Sequence, residues 1–211
     1  MPKRDVEGHS AGLIAKAREA ARLIRTLGRA DATALEPIVA AVLAETARNR
    51  FPAATLLAGL TAEYEDARAA VAGLVADARW HVRKRAIRCL DRNTPQAFSV
   101  EVLRSALADE NAEVMLKAAS WAGYLGLEAA LYLELGSAYF NMGVLEYQRS
   151  NFPIAEWFCQ CALEFQQKTL NETDPRVIDT LGALARISAQ RRNKEEAREN
   201  LARANANRSI I

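Results

Sequence analysis

The sequence predicts an all-α fold built from antiparallel helix pairs, and three observations carry that prediction. Apolar residues recur at three-and-four spacing almost from end to end, the period of a helix with one buried stripe. Alanine supplies 42 of 211 residues, against 10 glycines and 6 prolines, a bias towards the best helix former and away from the two breakers. The breaks between periodic runs are short, which favours helices folded back on their neighbours.

The elements follow in order. The first run, 10–28, ends at Gly28, a residue suited to closing a helix. Runs at 36–48, 51–63 and 65–76 come next, with Pro37 and Pro52 suited to the first helical position, where a missing N–H costs nothing. Further runs cover 79–91, 96–107, 111–125 and 127–150. The last three, 153–170, 175–191 and 194–206, start near Pro153, Pro175 and the pair Asn193/Glu196, the pair being a capping-box variant. Eleven helices with short links make either a repeat solenoid or an irregular bundle, and internal repeats decide between them.

Asp77-Ala-Arg-Trp-His-Val82-Arg83-Lys-Arg-Ala86 aligns, 32 residues on, with Asp109-Glu-Asn-Ala-Glu-Val114-Met115-Leu-Lys-Ala118. Each copy has Asp at a turn, Val entering a helix and Ala one turn later; a weaker copy places Phe51 near the Val82 position. The pattern resembles the HEAT repeat over about 36–125. That resemblance implies a ladder of turn Asp and helix Arg, with Arg83 and either Asp77 or Asp109 as one rung and Met115 replacing the next Arg. A second period follows. Tyr139, Asn141, Gly143, Tyr147, Phe152, Ala155 and Ala162 are succeeded by Leu181, Leu184, Ala185, Asn193, Ala197 and Ala204, with both Ala pairs 42 residues apart. This resembles the longer-helix tetratricopeptide repeat of kinesin light chains, although Ser150 and Arg192 stand where Gly is usual and Cys159 where a large aromatic packs. The predicted organisation is a leader and capping helix at 1–30, HEAT-like repeats at 31–126, and two tetratricopeptide-like repeats with a C-terminal cap at 127–211.

Composition narrows the function classes. There are 28 basic and 26 acidic side chains, for a net charge of +2, so an electrostatic partner must be read by a local patch. No apolar run approaches the length of a membrane span or signal peptide. Cys89, Cys159 and Cys161 form an odd, sparse set, which suits a reducing cytoplasm.

Catalytic raw material is thin. His9 and His81 are the only histidines, neither in a metal spacing, and there is no phosphate loop or nucleophile elbow. Cys159 and Cys161 lie two apart on a helix, so they do not face each other and read as small buried fillers. Carboxylates at 63–66, 109–113 and 195–199 fall at helix starts and on solvated faces. The expectation is a non-enzymatic protein with no cofactor and no metal.

Two surfaces remain. His81, Lys84, Arg85, Arg88 and Arg92 form a basic stripe along 79–92, about 16 Å long at 1.5 Å per residue; it suits phosphates, nucleic acid or an acidic protein segment. The tetratricopeptide resemblance implies a peptide groove on the first helix of each pair. Its positions are Phe140, Asn141, Val144, Tyr147 and Gln148, then Asp179, Gly182, Arg186 and Gln190. Asn141 matches a position whose amide bonds an extended peptide backbone in that family, whereas the family's carboxylate clamp is replaced by Phe140 and Val144. The preferred expectation is an interaction or scaffold module that binds a protein or peptide segment on its concave face. Nucleic-acid or phosphate binding through the stripe is the alternative.

Overall fold

The computed structural model describes residues 3–44, 52–191 and 193–208, and among them every regular element is helical. The chain divides into two compact units, Met1–Leu125 and Gly126–Ile211. Phe51 and Arg192 lie outside the described residues, as does the His9 side chain.

The first unit holds α1 (Lys3–Leu27), α2 (Ala32–Ala44), α3 (Pro52–Thr61), α4 (Glu65–Val75), α5 (Trp80–Ala86), α6 (Gln96–Leu107) and α7 (Ala112–Leu125). The pairs α2/α3, α4/α5 and α6/α7 stack in series: α2 lies on α4 and α4 on α6, while α5 and the 3-10 turn after it lie between α3 and α7. Helix α1 covers α2 and α3. Ile38, Leu57, Ile87, Leu103 and Val114 are fully buried between these layers. Stacking is possible because small residues such as Ala86 and Ala118, both buried, stand at the tight contacts.

The second unit holds α8 (Tyr132–Gln148), α9 (Phe152–Gln166), α10 (Pro175–Gln190) and α11 (Lys194–Arg208). Helix α8 packs along α9, α10 along α11, and α10 also lies against α9. A Cβ built on Gly143 would stand 2.5 Å from Cys159 Sγ and 3.2 Å from the Ala155 carbonyl, and one on Gly136 would stand 2.9 Å from Gln166 Cγ. These glycines, seven residues apart on one face, let the α8 backbone approach α9 more closely than any side chain would permit. Ala155 and Cys159 then meet Ala183, Leu184 and Ile187 of α10 in one core cluster, and Val177, Ile178 and Leu181 meet Ala204 of α11 in another. Glu156 on α9 also pairs with Arg191 at the end of α10.

Several expectations need correction. Helix α1 starts at Lys3 rather than 10, and α9 ends at Gln166 rather than 170. Helix α2 starts at Ala32 rather than 36, because Asp31 caps it: the Ala34 N–H donates to Asp31 Oδ1 at 2.9 Å. Pro37 is therefore inside the helix, not at its first position. The run 79–91 is shorter than its periodicity suggests, since α5 ends at Ala86, tightens to a 3-10 turn over Ile87–Cys89, and stops where buried Leu90 turns extended. The run 127–150 is broken into a 3-10 turn at Glu128–Ala130 and α8, with fully buried Leu131 between them at φ −133°.

Gly28 closes α1 with φ +67° and its N–H on the Ile24 carbonyl, and Pro175 opens α10 behind an Asp174 side chain that accepts from the Arg176 N–H. Ser150 stands in the left-handed region at φ +61°. Its N–H donates to Tyr147 O and the Asn151 N–H to Glu146 O, both at 2.9 Å, the paired bonds of a Schellman end that glycine fills without strain. Because the left-handed conformation costs an L-residue roughly 1–2 kcal/mol, Ser150→Gly is expected to raise stability by about 1 kcal/mol, read as a higher denaturation midpoint in urea.

Candidate functional site

The residues of the predicted groove divide into two groups. Val144, Tyr147 and Gln148 on α8, Gly143 beside them, Cys159 on α9, and Ala183, Arg186 and Ile187 on α10 line one cleft of about 220 Å³. Asn141, Asp179 and Gln190 are exposed but do not line it, and Phe140 packs into the core cluster beneath. Asp179 sits 3.9 Å from Arg208. The surface lining the cleft is almost wholly apolar, with Gln148 and Arg186 at its edge.

Helical register explains the grouping. Phe140, Val144, Tyr147 and Gln148 fall within one side of α8 at spacings of four, three and one. Gly143 brings the α9 backbone under that side, so Cys159 rather than a large side chain forms the floor. Tyr147 is held at its edge by Phe152, with ring centroids 5.6 Å apart. Burial pushes the Cys159 thiol up to about 11, so it is a neutral apolar wall at neutral pH rather than a thiolate. Cys161 is also raised, by burial and then by Glu164. Among the described residues, no group of three or more His, Cys, Asp or Glu side chains is placed to hold a metal ion, and no helix is long and apolar enough to cross a membrane.

In the first unit the turn aspartates explain the 32-residue repeat. Asp77 Oδ1 accepts from the Arg79 N–H and Asp109 Oδ1 from the Asn111 N–H, both at 2.8 Å. Their side-chain partners differ. Asp77 takes Arg79 of its own turn, whereas Asp109 takes Arg83 in a two-pronged pair at 2.6 and 2.9 Å. Arg83 also donates to the Asp77 and Ala78 carbonyls at 3.0 Å, so one guanidinium clasps two successive turns. The side chains of Arg83 and Asp109 retain only 12% and 8% exposure. Met115, the counterpart of Arg83 one repeat on, is buried.

The basic stripe does not lie on one continuous helix. Arg92 falls beyond the 3-10 turn, and every member except His81 meets a neighbouring layer. Lys84 pairs with Glu113 at 2.5 Å, and Arg85 donates to the Leu43 carbonyl of α2 at 2.7 Å. His81 stands edge-on to Trp80. Helix α7 brings two aromatic rings to the others: Arg88 lies 5.8 Å and Lys117 5.2 Å from the Trp121 ring, and Arg92 lies 5.2 Å from Tyr124. Trp121 is itself anchored by its indole N–H on the Leu90 carbonyl at 3.1 Å. Burial, then the nearby charges of Arg88 and Lys84, lowers the Lys117 ammonium. Reading α5 alone misses these aromatics; Tyr124 lies one 32-residue repeat beyond Arg92, which is the signal that points to it.

No protein-family model matches the chain, and no curated protein matches its sequence. Among solved structures, the crystal structure of BtubC (BKLC) from P. vanneervenii is similar to it, with a TM-score of 0.44 and 18% identity, over 98% of this chain and 74% of that chain. That likeness carries no argument about function, which must come from the residues.

Proposed function

We propose that this chain is a protein-interaction module whose second unit holds a segment of another protein, one side chain of which fills the cleft between α8, α9 and α10. The cleft carries the reading. At about 220 Å³ it is smaller than the ~300–1,000 Å³ of small-molecule sites and suited to one apolar anchor residue. Its rim pairs an apolar floor with Gln148, which offers both donor and acceptor, and with the exposed guanidinium of Arg186. Exposed Asn141 extends the same side of α8 towards a peptide backbone.

Quantitative affinity purification with mass spectrometry tests this. Partners captured by the unaltered chain are expected to be depleted about tenfold or more by Tyr147→Ala and by Arg186→Glu, as for central interface residues, and less by Asn141→Ala. Helical content must be preserved in each variant. An unchanged set of partners in all three variants refutes the cleft.

A second reading is supported by the aromatic rings beside the stripe. Cations alternating with exposed Trp80 and Tyr124 suit a single-stranded nucleic acid, with phosphates on the cations and bases on the rings. Binding of an oligonucleotide that weakens steeply with salt and is lost in Arg88→Ala with Lys117→Ala supports it; no binding at low salt removes it.

A further inference from the structure

The 42-residue period relates two grooves, only one of which has an occupant. Gly143, Val144, Tyr147 and Cys159 line the α8 and α9 walls of the cleft. Moved by 42 residues they become Ala185, Arg186, Ala189 and Leu201. Those four line a second groove of about 360 Å³ between α10 and α11, together with Ala197, Ala204, Arg198 and Arg208. In the first copy α10 lies in the groove, pressing Ala183, Leu184 and Ile187 onto Ala155 and Cys159. In the second copy the apolar wall is open, and Leu201 is 51% exposed.

The lining specifies what fits there. Four alanines and a leucine give a shallow apolar trough that a helix can approach closely, as α10 approaches its own groove. The rim is cationic, with Arg186, Arg198 and Arg208 and no acidic residue in the lining. Among the described residues Arg186 and Arg198 form no ion pair, and Arg208 reaches Asp179 only at 3.9 Å. A second copy of the same groove is a poor occupant, because a symmetric contact sets these arginines against their own counterparts.

We infer that the α10/α11 groove docks an acidic amphipathic helix of a partner protein, in the position that α10 takes on α8 and α9. The occupant presents apolar residues at the spacing of Ala183, Leu184 and Ile187, flanked by Asp or Glu. This goes beyond the segment-binding reading and uses a different surface, with Arg186 alone common to both.

Fluorescence anisotropy on the whole chain tests it with two synthetic 18-residue helical peptides. Both carry that apolar pattern, one with flanking Glu and one with flanking Lys. The Glu peptide is expected to bind at least about tenfold more tightly than the Lys peptide, a factor worth ~1.4 kcal/mol. Leu201→Asp and Arg198→Glu each weaken it by a similar factor, Arg198→Glu also improves the Lys peptide, and Tyr147→Ala changes neither. Both altered positions are exposed; if Leu201→Asp does not fold, Arg198→Glu decides alone. Equal binding of the two peptides, no saturation up to millimolar concentration, or full binding by both variants overturns the inference. So does a dimer of the chain that Leu201→Asp disperses, which makes the groove a self-contact.

Discussion

Gly143→Ala is expected to destabilise the second unit by about 1–3 kcal/mol, the cost of forcing one extra methyl into a packed seam. The new Cβ meets Cys159 Sγ at 2.5 Å, and Cys159 is fully buried. Alanine's better helix propensity recovers roughly 0.5–1 kcal/mol, so the clash wins. Gly143→Val costs more. Cys159→Ala combined with Gly143→Ala restores most of the loss, because Sγ is the one side-chain atom in the clash. The Ala155 carbonyl at 3.2 Å and the Cys159 nitrogen at 3.4 Å keep a residue of it. Urea unfolding of the single and double variants gives the coupling directly, and hydrogen exchange must place the lost protection in α8 and α9. Equal stability of Gly143→Ala and the unaltered protein contradicts the close approach.

Removing Asp109 has the largest expected effect in the first unit. Asp109→Ala strips a nearly buried guanidinium of its carboxylate and leaves the Asn111 N–H without its acceptor, so the melting temperature should fall by several degrees. Glu19→Ala, which breaks the exposed pair with Arg22, changes it by about a degree at most. The acid dependence has a definite sign. Burial alone would raise the Asp109 carboxyl, but the hydrogen bonds from Arg83 and Asn111 outweigh it and hold the group below the usual range. Its contribution is therefore complete above the ordinary aspartate value of ~3.9 and is lost as pH falls through the lower folded-state value. Between about pH 5 and 2 the melting temperature should fall more steeply for the unaltered chain than for Asp109→Asn.

Helix existence was legible in the sequence because the three-and-four period runs through nearly every element, the polar α11 being the exception, and because its punctuation is chemical: Gly28, Pro175 and Asp174 all act as their residue types suggest. The missed boundaries share a different cause. Leu90 and Leu131 end or delay helices with no Gly or Pro adjacent to them, since each is buried and its burial outweighs local propensity. Pro37 misled for the opposite reason: it resembles a helix start, yet the Asp31 side chain had already capped the helix.

The site was legible to the extent that it follows register. Val144, Tyr147, Gln148 and Arg186 come together because the 42-residue repeat sets α8 and α10 side by side. Asn141, Asp179 and Gln190 share those helices but point past the cleft's lining. The rings beside Arg88 and Arg92 were hidden, because they come from α7 and only the repeat period, not the charge pattern, connects them.

The glycine seam between α8 and α9 also divides labour among residues. How wide the cleft opens is governed by Gly136, Gly143, Ala155 and Cys159, whose sizes fix how far apart two backbones stand. What the cleft prefers is governed by Val144, Gln148 and Arg186 on its rim. Shape and chemistry can therefore drift separately: a one-atom change in the seam resizes the opening while leaving its polar rim untouched, and a rim change alters preference without disturbing the frame.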